Sequence, residues 1–151
     1  MTVFHTHSSD ETEELGATFA KSLAPGDVVA ISGNLGAGKT LFVVGVCRGL
    51  GITGSVTSPT FTMIHEYAAP SYGVVHIDLY RVSSRHELQS IAVEEYFDGR
   101  HICLIEWAER AIELLPESHI RVKISDGDSV EERQITIERV RAEALPYGEQ
   151  S

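Results

Sequence analysis

The sequence predicts an α/β protein, a three-layer sandwich in which helices flank a mixed central sheet. Three features indicate this class. The short apolar run Asp27 to Ser32 (DVVAIS) is typical of a buried parallel strand. A glycine-rich segment and a helical stretch follow it directly, in the strand–loop–helix order of α/β proteins. Later apolar runs read as further strands, two of them arranged as a hairpin, so the sheet is expected to be mixed.

The composition fits a soluble globular protein and narrows the choice of partners. With 42% hydrophobic residues, the chain can bury a core of ordinary size. Its 12 basic and 22 acidic residues give a formal net charge of −10. Binding to a phosphate backbone is driven by Lys and Arg, so this charge argues against autonomous binding to nucleic acid. A local basic patch can still contact RNA within a complex.

The chain is predicted to be cytoplasmic. Its longest nearly apolar stretch, Leu41 to Cys47, is far too short to cross a membrane. The first residues lack the basic and apolar regions of a secretory signal. Cys47 and Cys103 lie within apolar stretches, so we expect both to be buried free thiols.

The first half of the chain is predicted to form an edge strand, a helix, the central strand and a second helix. Thr2 to His5 reads as the short edge strand. Ser8 and Glu11 have the spacing of a capping box, which predicts a helix running to about Leu23. The second helix is predicted from about Lys39 to Leu50, and a loop rich in Gly, Ser and Thr follows it.

The second half is predicted to complete the sheet. Phe61 to Tyr67 and Val74 to Leu79 read as an antiparallel hairpin, and a helical pattern covers His86 to Phe97. The expected core residues of that helix are Leu88, Ile91 and Val93. His101 to Glu106 is a further buried strand, and a short helix follows it to about Leu115.

Two late strands are predicted from alternating apolar residues. These residues are Ile120, Val122, Ile124, Ile135 and Ile137. Residues 1–140 are therefore expected to form a single domain, with residues 141–151 as a loosely held tail.

The segment GNLGAGKT, from Gly33 to Thr40, matches the P-loop pattern G-x-x-x-x-G-K-[ST]. Its glycines allow successive backbone amides to turn towards phosphate oxygens, and the helix that begins here adds its partial positive charge. Lys39 is expected to reach the β and γ phosphates, and the Thr40 hydroxyl to bind Mg²⁺. The predicted nucleotide-binding positions of this segment are Gly33, Leu35, Gly36, Ala37, Gly38, Lys39, Thr40 and Leu41. The pattern lies between a strand and a helix, which predicts a P-loop NTPase-like form of the sandwich.

Two carboxylates stand where apolar runs end. Asp78 follows VVHI and Glu106 follows ICLI. A P-loop enzyme needs an acidic residue at the end of a neighbouring strand to hold Mg²⁺ directly or through water. Spacing alone leaves open which of the two binds the metal and which orients water.

The segment Thr57 to Phe61 (TSPTF) follows the P-loop helix, where many P-loop proteins sense the γ-phosphate. Pro59 holds Ser58 extended, so that the hydroxyls of Ser58 and Thr60 can face the nucleotide. An ordinary turn before a strand is the alternative. The chain contains no guanine-reading N-K-x-D string, which favours adenine.

Together, GNLGAGKT, TSPTF, HIDLYR and IEWAER resemble the TsaE family over about Thr12 to Arg133. These are small bacterial P-loop ATPases of the pathway that installs threonylcarbamoyl on adenosine 37 of tRNAs. The resemblance implies ATP and Mg²⁺ as cofactors, and hydrolysis that is slow alone and stimulated in a complex. It implies a TsaD-type transferase subunit and a TsaB-type paralogue as partners, with tRNA contacted only through the complex and no membrane.

The resemblance also implies roles for individual residues. Glu106 would join Thr40 as a magnesium ligand, and Asp78 would be essential nearby, either behind the direct metal ligands or as the group that positions water. Thr60 would belong to a switch-I-like loop. The expected catalytic set is Lys39, Thr60, Asp78 and Glu106. The residues expected around the nucleotide outside the P-loop are Trp107, Glu109 and Arg133, with the adenine between this region and the N-terminal segment.

Two other functions use the same loop. A small-molecule kinase would need a lid and an acceptor pocket, and few residues remain to build them. A nucleotide-sensing module would bind ATP without releasing phosphate. Acceptor-dependent ADP production indicates the kinase, and the absence of phosphate release in any complex indicates the module.

Overall fold

The computed structural model describes residues 1–34, 36–57 and 63–141, which form a seven-stranded sheet with helices on its faces. The strands are β1 Thr2–Thr6, β2 Val28–Ser32, β3 Ile64–Ala68, β4 Gly73–Asp78, β5 Ile102–Glu106, β6 His119–Asp126 and β7 Arg133–Val140. The α-helices are α1 Ser9–Ala20, α2 Lys39–Gly49 and α3 Arg85–Ile91, and two 3-10 segments span Val93–Tyr96 and Ala108–Leu114.

The sheet is mixed, as predicted. Its strand order is β1-β7-β6-β2-β5-β4-β3. At its centre β2 runs parallel to β5 and β6, and β4 runs parallel to β5. The pairs β3–β4, β6–β7 and β1–β7 are antiparallel, which confirms the predicted hairpin and places β1 at an edge.

Strand β2 contributes side chains to the core on both faces of the sheet. Val29 and Ile31 belong to a buried cluster with residues of α1 and α2, such as Phe42. Val28 and Ala30 point to the other face, where α3 and the 3-10 segments pack. Because side chains alternate along a strand and both faces are covered, this strand is apolar throughout, as the run DVVAIS predicted.

The first helix begins where the sequence predicts and ends earlier. The Ser8 hydroxyl accepts a hydrogen bond from the Glu11 amide at 3.1 Å, which is the expected N-cap. The helix ends at Ala20 instead of Leu23, because the next amides bond three residues back and tighten the last turn: the Leu23 amide bonds to the Ala20 carbonyl at 3.1 Å.

The helix predicted over His86 to Phe97 is two helical pieces. Ala92 adopts a left-handed conformation (φ 55°, ψ 47°), which ends α3 and starts the 3-10 segment Val93–Tyr96. In a continuous helix Leu88 and Val93, five residues apart, would point about 140° away from each other. The break at Ala92 allows both side chains to be buried.

The stretch predicted as a short helix up to Leu115 is a 3-10 segment kinked at Ala111. Cys47 and Cys103 are free and buried, as predicted, and burial raises the pKa of both thiols to about 12. No described helix is long and apolar enough to span a membrane. The predicted tail lies outside the described residues from position 142 onwards.

Helices α1 and α2 pack closely through glycines. A Cβ on Gly45 would lie 1.9 Å from the Glu13 carbonyl oxygen, and one on Gly16 would lie 2.4 Å from the Phe42 carbonyl oxygen. Glycine in a helix interior is destabilising by roughly 1 kcal/mol relative to alanine. This packing therefore explains why glycine stands inside α2, the helix that carries the P-loop lysine.

We expect Gly45→Ala to destabilise the protein although alanine is the better helix former. The added methyl must push α1 away from α2, and such overpacking costs about 1–3 kcal/mol, which lowers the melting temperature by roughly 2–12 °C. Thermal unfolding followed by circular dichroism measures the change. Arg48→Ala is the control in the same helix, because it removes only exposed ion pairs. A Gly45→Ala melting temperature equal to or above the wild-type value would contradict the packing argument.

Candidate nucleotide-binding site

The start of the P-loop and the two predicted carboxylates lie together at the carboxyl ends of the parallel strands. β2 leads directly into Gly33, and the parallel strands β4 and β5 end at Asp78 and Glu106. Asp78 is paired with Glu106 across the two strands, and Ile31 of β2 is paired with Glu106 on its other side. Ligands of open α/β sheets bind outside the carboxyl ends of such strands, and the P-loop lies there.

Among the described residues, no side chain caps the N-terminus of α2, which the P-loop leads into. Gly38 is the N-cap residue, has a φ of 99° and makes no side-chain cap hydrogen bond. At Gly33 a Cβ would lie 2.4 Å from the Ile124 carbonyl oxygen, so only glycine fits where the loop leaves β2 beside β6. Uncapped amides at a helix N-terminus favour an anion, which is the role predicted for this segment.

Lys39 is buried within the loop. Its ammonium donates to the carbonyls of Gly33 at 2.6 Å and Asn34 at 2.8 Å, and it lies 4.1 Å from the centre of the Trp107 ring. Burial lowers the pKa of Lys39, while the negative charges of Glu106, Glu109 and Asp78 act in the opposite direction. The cation is thus held at the loop by carbonyls, an aromatic face and nearby carboxylates.

A chain of side-chain hydrogen bonds joins three elements. The Thr40 hydroxyl donates to Glu106 Oε1 at 2.9 Å, and His76 Nε2 lies 2.5 Å from Glu106 Oε2. His76 and Glu106 are almost completely buried. Each carboxylate oxygen therefore has a partner, and one of them faces the residue predicted to bind Mg²⁺.

His76 was not among the site residues predicted from the sequence. The available signal was its position in HIDLYR two residues before Asp78, because strand alternation then places both side chains on the same face. His76 Nδ1 is the one fully buried side-chain polar atom in the described part of the chain that has no hydrogen-bond partner.

The donor set fits Mg²⁺. Thr40 and the carboxylates of Glu106 and Asp78 supply oxygen atoms, which hard cations prefer. The 2.9 Å between Thr40 Oγ1 and Glu106 Oε1 is close to the spacing of adjacent ligands in a magnesium octahedron, about 3 Å. No group of three or more His, Cys, Asp and Glu side chains in the described residues is arranged to hold a metal. A nucleotide-bound Mg²⁺ needs only one or two carboxylates, because phosphates and water complete its coordination.

Asp78 and Glu106 differ in their surroundings. Asp78 Oδ1 accepts a hydrogen bond from the Tyr80 amide at 2.9 Å, whereas Glu106 contacts Thr40 directly. This difference favours Glu106 as the metal ligand of the pair. The division of roles between the two carboxylates remains a prediction.

Trp107 packs its ring against the Lys39 ammonium. Its backbone is left-handed (φ 57°), and its ring contacts Lys39 on the one hand and Tyr80 and Arg110 on the other, with the Arg110 guanidinium carbon 5.3 Å from the ring centre. Arg110 also donates to the carbonyls of Tyr80 and Val82, at 2.5 and 2.9 Å. Trp107 was predicted to lie near the nucleotide, whereas Tyr80 and Arg110 were not among the predicted site residues.

The other residues predicted to contact the nucleotide differ in their burial and in their contacts with the P-loop. Glu109 is exposed and acts on Lys39 through its charge, while the Arg133 guanidinium donates to the P-loop carbonyls of Ala37 and Gly36. Leu41 lies half-buried in the first turn of α2. The predicted residues that lie outside the described part of the chain are Leu35, Ser58, Pro59, Thr60 and Phe61.

The fold and the site together define a class of protein. A parallel strand, a glycine-rich loop and a helix present a buried lysine, and a hydroxyl–carboxylate pair lies beside it at the carboxyl edge of the sheet. This combination is that of a P-loop nucleotide-binding protein.

Comparison with known proteins identifies the family. The family model described as threonylcarbamoyl adenosine biosynthesis protein TsaE matches residues 6–135, and the chain belongs to this family. It is 39% identical over 137 residues to the tRNA threonylcarbamoyladenosine biosynthesis protein TsaE of Bacillus subtilis, which covers 91% of this chain and 85% of the relative. The protein of the same name from Treponema pallidum is 36% identical over 135 residues, or 87% of this chain and 96% of the relative.

A solved structure agrees with this assignment. The crystal structure of Bacillus subtilis YdiB superimposes with a TM-score of 0.78 at 36% sequence identity, and the match covers 92% of this chain and 85% of that one. The predicted α/β sandwich and the predicted family are therefore both confirmed.

Proposed function

We propose that the protein is the ATP-hydrolysing component of the machinery that adds threonylcarbamoyl to adenosine 37 of tRNA. Membership of the TsaE family supports the pathway. The observation that supports hydrolysis is the contact of Thr40 with Glu106 at 2.9 Å beside the buried Lys39. A hydroxyl, a carboxylate and a lysine in this arrangement are the parts that hold a magnesium–triphosphate complex.

Each residue has a defined task in this proposal. Lys39 leaves its carbonyl partners to contact the β and γ phosphates, and the first amides of α2 bind phosphate oxygens. Thr40 and Glu106 hold the metal, and Asp78 orients the attacking water. When bound, Mg²⁺ neutralises charge that develops on the transferred phosphoryl group. The absence of a guanine-reading N-K-x-D string supports ATP as the nucleotide.

We propose that hydrolysis serves a complex and not a small-molecule acceptor. The partners are a TsaD-type subunit, which transfers the group, and its TsaB-type paralogue. Hydrolysis resets the complex between turnovers, and it is slow in isolation because a small open site does not exclude water fully. The formal net charge of −10 supports contact with tRNA through the complex only. The family assignment gives no support to the kinase alternative.

Phosphate release tests the proposal. We expect slow magnesium-dependent release by the protein alone and faster release when the two partners are added. Equal rates with and without partners would contradict the coupling. Acceptor-dependent ADP production would favour the kinase, and absence of phosphate release under every condition would favour a nucleotide-sensing module. Trp107 fluorescence reports binding independently, because the ring lies 4.1 Å from the Lys39 ammonium.

A further inference from the structure

We propose that Arg133 is a positioning residue that presets the phosphate-binding loop by holding its carbonyls away from the ligand. The inference rests on the proposed nucleotide binding and deepens it. It replaces the expectation of a direct contact between Arg133 and the nucleotide with an effect transmitted through the P-loop backbone.

The contacts of Arg133 with the loop involve two different nitrogen atoms. Nε donates to the Ala37 carbonyl at 2.8 Å, and Nη2 donates to the Gly36 carbonyl at 3.2 Å. Nearly one hundred positions separate Arg133 from these residues in the sequence. One planar guanidinium thus binds two successive carbonyls of the loop, a geometry that the fork of an arginine matches and a lysine cannot.

These contacts determine where the next amides point. The described chain contains no cis peptide bond, so the carbonyl of Ala37 and the amide of Gly38 point in opposite directions within one peptide plane. Because the Ala37 carbonyl faces Arg133, the Gly38 amide points away from Arg133. The Gly36 carbonyl likewise orients the Ala37 amide, which donates to the Asn34 carbonyl at 3.0 Å and closes the turn.

Arg133 is itself held rigidly. Nη1 donates to the carbonyls of Val130 at 2.7 Å and Glu132 at 2.8 Å, and Nε lies 3.8 Å from Asp126 Oδ1. The residue is the first of β7 and pairs with Asp126 of β6 and Thr6 of β1. The sheet therefore carries the guanidinium on a support that does not depend on the loop, as preorganisation of a binding site requires.

The donor inventory argues against a mainly direct contact with the nucleotide. An arginine has five N–H donors, and backbone carbonyls accept from Arg133 in four hydrogen bonds. At most one donor remains for a ligand. The side chain is also only 16% exposed. Its effect on binding is therefore transmitted by the loop and concerns the phosphates.

The affinities of ADP and pyrophosphate distinguish a positioning role of Arg133 from a direct contact with the nucleoside. Calorimetry measures the affinities of ADP and of pyrophosphate, each with Mg²⁺, for the wild-type protein and for Arg133→Ala. We expect both affinities to fall by the same factor, about tenfold or more for two lost hydrogen bonds and a loosened loop. Arg133→Lys should behave like Arg133→Ala, because a single ammonium cannot span both carbonyls. Because Arg133→Lys retains the positive charge, it helps to distinguish the loss of the two carbonyl contacts from a folding defect in Arg133→Ala.

Arg139→Ala is the matched control. Arg139 lies on the same strand and the same face, six residues further on, and contacts the Ser22 carbonyl and Asp27 at the other end of the sheet. Its affinities should stay within roughly twofold of the wild-type values, because losing a surface ion pair changes little. In ¹⁵N spectra the Gly38 amide resonance should shift in the Arg133 variants and not in this control.

The outcomes are separable. A loss for ADP without a loss for pyrophosphate shows that Arg133 contacts the nucleoside, and overturns the inference. Unchanged affinities for both ligands, or full rescue by Arg133→Lys, also overturn it. Failure of the wild-type protein to bind either ligand overturns the proposed function itself, and Lys39→Ala provides the baseline for that result.

Discussion

Lys39→Ala is expected to lower the affinity for ATP at least about 100-fold, which corresponds to roughly 3 kcal/mol for the loss of charged hydrogen bonds. The lysine is buried at the loop, and its ammonium is held by the P-loop carbonyls of Gly33 and Asn34 close to the uncapped amides of α2. Removing it leaves the phosphate charge uncompensated in a site that also contains carboxylates. Calorimetry and Trp107 fluorescence measure the loss.

Lys123→Ala is the control for this change. Lys123 lies exposed on β6, and its replacement alters the net charge by the same amount. We expect its ATP affinity to remain near the wild-type value. The Lys39 variant should keep its far-UV spectrum, because the hydrogen bonds of the side chain go to the loop carbonyls of Gly33 and Asn34. Wild-type affinity in Lys39→Ala would refute the assigned role of the P-loop.

The second large effect concerns Glu106. Glu106→Ala should raise the Mg²⁺ concentration needed for half-maximal ATP binding by about tenfold or more, because the variant loses a carboxylate that a hard cation prefers. It also leaves His76 and Thr40 without their partner, a cost to folding of about 1–3 kcal/mol. Glu106→Gln keeps the shape and removes only the charge. A Mg²⁺ titration of both variants therefore separates loss of metal binding from loss of stability.

Asp78→Asn is the matched comparison for Glu106. The amide can still accept the hydrogen bond from the Tyr80 amide, so ATP binding should change little. Turnover should fall by about 10²-fold, a typical effect of losing a group that handles the reacting water. The reverse pattern, with the larger shift in Mg²⁺ dependence for Asp78→Asn, would exchange the roles of the two carboxylates.

Much of the fold was predictable because its signals are local. The apolar run of β2 and the alternation in β6 and β7 follow from burial on two faces or one. The N-cap at Ser8 was predictable because its hydrogen-bond partner, Glu11, lies only three residues further on. The break at Ala92 was not predictable, since it depends on two side chains reaching a core that other parts of the chain create.

The candidate site also has parts with local sequence signals and parts that depend on contacts between residues far apart in the chain. The sequence by itself determined the P-loop, its lysine and the two carboxylates at strand ends, because a contiguous segment and the ends of apolar runs carry those signals. Only the tertiary structure decided the contacts of His76 with Glu106, of Arg110 with Tyr80 and of Arg133 with Ala37. Their partners lie 30 to 96 positions apart in the chain. Such pairs are created by strand order and register, which no local pattern encodes.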